Sequence, residues 1–331
     1  MKNLGIGKIK GLQDIATADG IFTICAMDHR GSFSRMINKD NPASVSYDEM
    51  VNRKLELCSN LAKHASALLL DPLFGAAQCI SHGALPGSTG LLVSIEASGY
   101  GGGKENRTTE LLEDWGVEKI KRMGASAVKI LVYYRPDLEE LAARQRGIVE
   151  GVARECIKYD IPCLVEPICY PVGSEVANPE EFTAIRSDII IRTAREMTSL
   201  PIDVLKSEFP ATARPLKDRF ELLELCQQLD EASRVPWVIL SAGVGFQQFS
   251  EQVEIACQAG ASGFLGGRAV WQEVMNIDDA AERVNYLSTT GADRMKNLNG
   301  IAGAHAVPWY KKYGVPPHEL SMVSEGWYQE Y

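Results

Sequence analysis

Short apolar runs alternate along this chain with longer amphipathic segments. Ile21 to Met27, Ala67 to Leu70, Gly90 to Ile95, Ala127 to Tyr133, Pro162 to Val165, Ile202 to Leu205, Trp237 to Leu240 and Ser262 to Leu265 make eight such runs. Each is nearly continuous in apolar character, as strands covered on both faces are; half-exposed strands would alternate apolar and polar residues. Between them Glu49 to His64, Thr109 to Met123, Leu138 to Tyr159, Pro179 to Met197, Arg219 to Ser233 and Gln247 to Gln258 place apolar residues at helical spacing with charged residues outside. Gly124 and Gly260 stand where a helix stops before the next strand. Eight strand and helix alternations predict one (β/α)8 barrel over residues 1–331, with an extension from about residue 300. An open doubly wound sheet would carry a glycine-rich dinucleotide turn after its first strand. This chain has Asp28-His29-Arg30-Gly31-Ser32 there.

Composition narrows the partners more than the fold. A net charge of −9 argues against general affinity for nucleic acid or an anionic membrane, so any anion site must be local. The eight cysteines lack the paired short spacings of zinc or redox sites, and several sit within apolar runs as reduced core thiols do. With no apolar signal core at the N-terminus and no run approaching a membrane span of ~20 residues, the expected location is cytoplasmic. The Gly99 to Gly103 cluster reads as a flexible loop on the face where strands end. The tail from Pro308, rich in Pro, Trp and Tyr, either folds over the barrel or joins a homo-oligomer interface.

Polar residues interrupt the apolar runs at a few places, and a barrel would bring those places together. Lys206 follows Ile202 to Leu205. A lysine there pairs with a carboxylate, escapes to the surface, or gives up its proton and becomes an amine nucleophile. Asp28 leaves the first run, Lys129 lies inside the fourth, and Glu166 ends the fifth. Taken singly, Asp28 reads as a helix cap, and Lys129 and Glu166 as partners in a buried ion pair. Gathered at the C-terminal ends of four strands, the four residues are also the equipment for Schiff-base chemistry, with Lys206 as nucleophile, Lys129 as a second cation and Glu166 moving protons. Asp28 would orient a substrate hydroxyl or share the proton transfers. Ser241, Gly243, Gly267 and Arg268 follow the last two strands, where barrels frequently seat phosphate.

These residues resemble the class I tagatose 1,6-bisphosphate aldolases. The likeness runs from about Asp19 to about Trp271 and rests on Met27-Asp28-His29-Arg30-Gly31, Leu69-Leu70-Asp71-Pro72, Ala127 to Tyr134, Val165-Glu166-Pro167, Asp203 to Glu208, Leu240 to Val244 and Gly267-Arg268-Ala269. The resemblance implies cleavage of a ketose 1,6-bisphosphate to dihydroxyacetone phosphate and glyceraldehyde 3-phosphate. It implies no metal and no cofactor beyond the covalent adduct on Lys206. Arg30 and Glu208 join Ser241, Gly243, Gly267 and Arg268 as its implied substrate and phosphate contacts. Two features depart from that pattern: His29 stands where the family commonly has glutamine, and Pro167-Ile168-Cys169-Tyr170-Pro171 looks more like the related sulfofructose-phosphate aldolases.

Two other readings differ in kind. A metal-dependent lyase would need clustered ligands, yet the five histidines, at 29, 64, 82, 305 and 318, include no HxH or HxxxH pair, leaving His29 with His82 as the pair to test in space. A non-catalytic sugar-phosphate sensor would use the same phosphate seat, but two lysines with two carboxylates exceed what binding requires.

Overall fold

The computed structural model describes residues 4–211, 218–321, 323–329 and 331, and in it eight parallel strands close into a barrel in sequence order. The strands are β1 (Phe22–Ala26), β2 (Ala67–Leu70), β3 (Gly90–Ser94), β4 (Ala127–Tyr133), β5 (Cys163–Ile168), β6 (Val204–Ser207), β7 (Trp237–Leu240) and β8 (Gly263–Gly266). Closure is completed by β1 pairing β8, with Ile24 opposite Leu265. The expected barrel is therefore present, with three changes of detail.

β5 runs on past Val165 because β4 continues beside it, Tyr133 pairing with Ile168. β6 starts two residues later than expected, so Lys206 lies within the strand opposite Val238 and not beyond its end. The helix expected over 109–123 shrinks to Val117–Arg122. Its first half is drawn instead into a hairpin, Leu111 bridging to Glu96 and Thr108 to Gly101. The Gly99 to Gly103 cluster is thus one arm of a ribbon, not a free loop. Arg107 stacks over the rings of Tyr100, Tyr133 and Tyr170, with centroids 4.6, 5.6 and 4.8 Å away, and fixes that ribbon to β4 and the β5 exit.

The helices follow in order: α1 (Ile6–Asp14), α2 (Gly31–Ile37), α3 (Tyr47–Leu61), α4 (Ala76–Ser81), α5 (Val117–Arg122), α6 (Glu139–Lys158), α7 (Ser174–Ala177), α8 (Pro179–Met197), α9 (Arg219–Ala232), α10 (Phe246–Gln258), α11 (Arg268–Trp271), α12 (Ala280–Tyr286) and α13 (Ala292–His305). α8 matches its expected span, and α6, α9 and α10 match within a residue or so. α1, α2, α4, α7 and α11 to α13 had no counterpart in the sequence reading.

The core has two parts. Outside the barrel, helices and strands share a large apolar layer containing Leu57, Leu61, Val149, Met197, Leu229, Phe249 and Trp271. Inside, Phe22, Ile24, Ala26, Leu69, Leu92, Ala127, Leu164, Val204, Val238 and Leu265 fill the lower barrel, and Leu12 and Ile15 of α1 join them with Trp309 and Leu320 of the tail. The tail is tied there by Trp309 N–H to Gly20 O at 2.9 Å, by Leu4 N–H to Leu320 O at 3.1 Å and by the Tyr313 hydroxyl to Asp203 O at 3.2 Å. Of the two expectations for the tail, it folds against the barrel, closing the end where strands begin. No helix among the described residues is long and apolar enough to cross a membrane.

Candidate active site

Strand periodicity explains how an apolar barrel turns polar at its mouth. Side chains two residues apart share a face. Stepping two residues up from the inward Ala26, Ala127, Leu164, Val204 and Leu265 reaches Asp28, Lys129, Glu166, Lys206 and Gly267. All five line a cavity of about 710 Å³ at the C-terminal ends of the strands. That volume suits a small-molecule site. Arg30, Glu208, Ser241 and Arg268 line it too.

At the centre stands Lys129, buried, with its ammonium 2.7 Å from Asp28 Oδ2, 2.8 Å from Glu96 Oε1 and 2.9 Å from Glu166 Oε2. The other oxygen of Glu166 lies 2.7 Å from Lys206 Nζ. One carboxylate therefore bridges both lysines. Burial alone would pull the Lys129 ammonium down, but Asp28, Glu166 and Glu96 together hold its pKa well above the ordinary lysine value. Burial likewise works to raise the carboxyls of Asp28 and Glu166, and Lys129 and Lys206 overcome it, holding both below the usual carboxylate range. Lys129 is thus a fixed cation, and Glu166 is an ionised acceptor touching the Lys206 nitrogen. Such a carboxylate can take and return a proton at that nitrogen.

Glu96 was missed from the sequence. It lies just past β3, and its second oxygen accepts the Leu131 N–H at 3.1 Å, which aims the first at Lys129. Its signal was the same two-residue step, Leu92 to Ser94 to Glu96. Arg30 is buried nearby, one guanidinium nitrogen 3.7 Å from Glu96 Oε1 and another, Nη1, without a hydrogen-bond partner among the described residues. Glu208 reaches the cavity wall but spends both oxygens on scaffold, one 2.8 Å from Arg186 and the other accepting the Cys169 N–H at 2.8 Å. It braces the exits of β5 and β6.

The β7 and β8 exits hold the residues expected to seat an anion. Ala242 and Gly243 both take positive φ, 47° and 81°. A Cβ on Gly243 would stand 3.1 Å from the Arg268 guanidinium, so glycine is what lets that side chain lie across the turn. Arg268 has no ion pair among the described residues, and its Nε is buried without a partner. Burial lowers its pKa, against the pull of Glu166 and Asp28. A guanidinium held this way, beside the Ser241 hydroxyl on the same wall, is suited to a phosphate.

The β1 exit is held by a further buried lysine that the sequence did not disclose. Lys54 of α3 pairs with Asp71 beyond β2 and donates to the carbonyls of Met27, at 2.7 Å, and His29, at 2.8 Å. Asp28 is therefore flanked on both sides by pinned backbone. His29 and His82 do not meet: His82 is exposed after α4, bonded to Gln78 O at 2.9 Å, while His29 lines the cavity. Among the described residues no group of three or more His, Cys, Asp or Glu is arranged to hold a metal ion. Where three carboxylates converge, the Lys129 ammonium already stands.

A closed (β/α)8 barrel that gathers charged proton carriers around a lysine at its mouth is built as an aldolase, a lyase that breaks carbon–carbon bonds. The family described as DeoC/LacD family aldolase matches residues 22–273, and the chain belongs to it. Among its relatives, tagatose 1,6-diphosphate aldolase 2 of Streptococcus agalactiae serotype III (strain NEM316) is 30% identical, the match covering 92% of this chain and 98% of that one. Tagatose 1,6-diphosphate aldolase 1 of Enterococcus faecalis (strain ATCC 700802 / V583) is also 30% identical, over 94% and 99%. Among solved structures, an archaeal fructose 1,6-bisphosphate aldolase is similar at a TM-score of 0.55 and 20% identity, covering 86% of this chain and 99% of its own. The fructose-bisphosphate aldolase of Plasmodium falciparum is similar at 0.65 and 15%, covering 92% and 98%. Identities this low bear on the fold alone.

Proposed function

We propose that the protein is a class I aldolase that cleaves a ketose 1,6-bisphosphate, with tagatose 1,6-bisphosphate, for which its relatives are named, as the substrate, into dihydroxyacetone phosphate and glyceraldehyde 3-phosphate. The observation that carries the proposal is Glu166, whose two oxygens contact the nitrogens of Lys206 and Lys129 at 2.7 and 2.9 Å. The Lys206 amine, its proton taken by Glu166, adds to the C2 carbonyl. Glu166 then returns a proton to the carbinolamine oxygen, which leaves as water and gives the protonated imine. A carboxylate, Asp28 or Glu166, removes the C4 hydroxyl proton. The C3–C4 bond breaks, its electrons move into the imine as an enamine, and the aldehyde departs. Protonation at C3 and addition of water release the ketone and restore the amine.

The remaining residues bind. Ser241, Gly243, Gly267 and Arg268 hold the C1 phosphate, and Arg30 faces the anion at the far end of the sugar. Lys129 holds the three carboxylates in place and keeps Asp28 and Glu166 ionised, and Glu208 keeps the wall in place. The expected test result is a borohydride-trapped adduct of dihydroxyacetone phosphate on Lys206, seen by intact mass and peptide mapping and lost in Lys206→Met. No adduct, or full activity in that variant, would sink the Schiff-base reading. A cleavage panel of tagatose 1,6-bisphosphate, fructose 1,6-bisphosphate and sulfofructose 1-phosphate identifies the far-end anion, and preference for the sulfonate would overturn the bisphosphate assignment.

A further inference from the structure

His29 directly follows Asp28, lines the cavity, and was given no task by the chemistry above. Its placement is highly determined. The ring meets Trp271 edge-on, centroids 5.4 Å apart at 81°, and Trp271 is itself anchored by its indole N–H to Ala26 O at 2.9 Å. Cε1 of the ring lies 3.2 Å from where a Cβ on Gly267 would be, so the missing side chain there makes room for the imidazole. The His29 carbonyl is held by Lys54 at 2.8 Å.

Within this frame the side chain keeps one edge on the cavity, and Nδ1, almost wholly covered, has no hydrogen-bond partner among the described residues. An unmatched buried polar atom destabilises the fold, and a ligand that completes it recovers that loss. Asp28 Oδ1 lies 3.9 Å away, beyond hydrogen-bond reach. Asp28 uses its other oxygen on Lys129 at 2.7 Å. Burial pushes the imidazole down to about 3, the Asp28 charge opposes this, and Arg268, Lys206 and Lys54 reinforce it. The ring is neutral at working pH, with one nitrogen donating and one accepting.

We propose that His29 touches the substrate: its Nδ1–H donates to one hydroxyl oxygen of the ketose chain, at C3 or C4, while that hydroxyl donates its own proton to Asp28 Oδ1. The spacing fits one oxygen. For two atoms 3.9 Å apart, an oxygen about 2.8 Å from each stands roughly 2 Å off their midpoint and sees them at roughly 90°, within what a hydroxyl's donor and acceptor directions tolerate. The hydroxyl is thereby held with its proton already on a carboxylate, and the neutral ring supports the oxygen as it acquires charge.

This assignment rests on the aldolase reading, and the two fail separately. The variants are His29→Phe, which keeps a ring and loses the donor, and His29→Asn, which restores an N–H near Nδ1; His29→Ala serves if the phenylalanine variant does not fold. Cleavage kcat/KM is measured together with the rate of borohydride trapping by dihydroxyacetone phosphate, which carries the C3 hydroxyl and lacks C4. The expected result is a loss of about 10- to 100-fold in kcat/KM for His29→Phe, with partial recovery in His29→Asn. Unchanged trapping then assigns the C4 hydroxyl, and trapping slowed in parallel assigns C3. Cleavage by His29→Phe within about twofold of the parent, or a loss that His29→Asn does not recover, overturns the proposal. A parent protein that forms no adduct at all fails the aldolase reading instead.

Discussion

Replacing Lys129 with methionine removes the cation on which three carboxylates converge. Its contacts, at 2.7, 2.8 and 2.9 Å, each represent about 6 kcal/mol of attraction at an effective dielectric of ~20, most of it offset by the desolvation of the groups involved. Deleting one partner of a buried ion pair costs about 3–5 kcal/mol, and here three partners are left behind, so Lys129→Met should lose at least about 4 kcal/mol. That is a large share of a total stability of about 5–15 kcal/mol. Acidity supplies a sharper signature. In the parent, Asp28 and Glu166 are held below their unfolded values, so their contribution is complete above the unfolded carboxylate range of about 4 and is lost as pH falls below it. In the variant, burial is no longer opposed by Lys129. The folded carboxyls titrate above their unfolded values, and the variant should gain stability as pH falls from about 7.5 to about 5.5, where the parent changes little. Urea unfolding followed by tryptophan fluorescence at both pH values measures the difference. A deficit under about 1 kcal/mol, or one that does not narrow with acid, would refute the view that this lysine is what keeps the carboxylates ionised.

Three further outcomes follow from the scaffold. Lys54→Met leaves Asp71 buried without its partner and frees the Met27 and His29 carbonyls; a loss of about 3–5 kcal/mol in urea is expected, partly regained by adding Asp71→Asn. Gly243→Ala puts a side chain at a φ of 81° and 3.1 Å from the Arg268 guanidinium; the KM for phosphorylated substrate should rise about tenfold, and an unchanged KM would refute the seat. Burial pushes the Cys25 and Cys257 thiols up to about 12, so Ellman's reagent at about pH 8 should leave these two unmodified in the native protein and reach all eight cysteines only after unfolding.

Asp28, Lys129, Glu166 and Lys206 were legible because each breaks an apolar run, and a barrel brings those interruptions together whatever their separation in sequence. Glu96 sits past the end of its run, behind the apolar Ile95, and only the inward register of β3 identifies it as a member of the same ring. Lys54 was hidden for another reason. It lies between Arg53 and Glu56 in a helix whose charges read as a solvent face, and nothing local distinguishes a lysine that turns inward to two carbonyls and a carboxylate. The helix expected over 109–123 failed because helical spacing within Thr109 to Gly116 was outweighed by pairing to the strand exit beside it. The floor was opaque too: α1 holds two glycines and two lysines in nine residues, and its role depends on contacts with Trp309 and Leu320 some three hundred residues away.

That floor has a kinetic meaning. With α1 and the tail filling the end where the strands begin, the described barrel is a blind tube with one doorway. On the Schiff-base reading proposed above, a molecule cut in two inside such a tube leaves in order. The half joined to Lys206 stays until water frees it, so the other half departs first and departure becomes a queue. Product-inhibition patterns read such a queue directly, and random release would mean that the tube opens somewhere else.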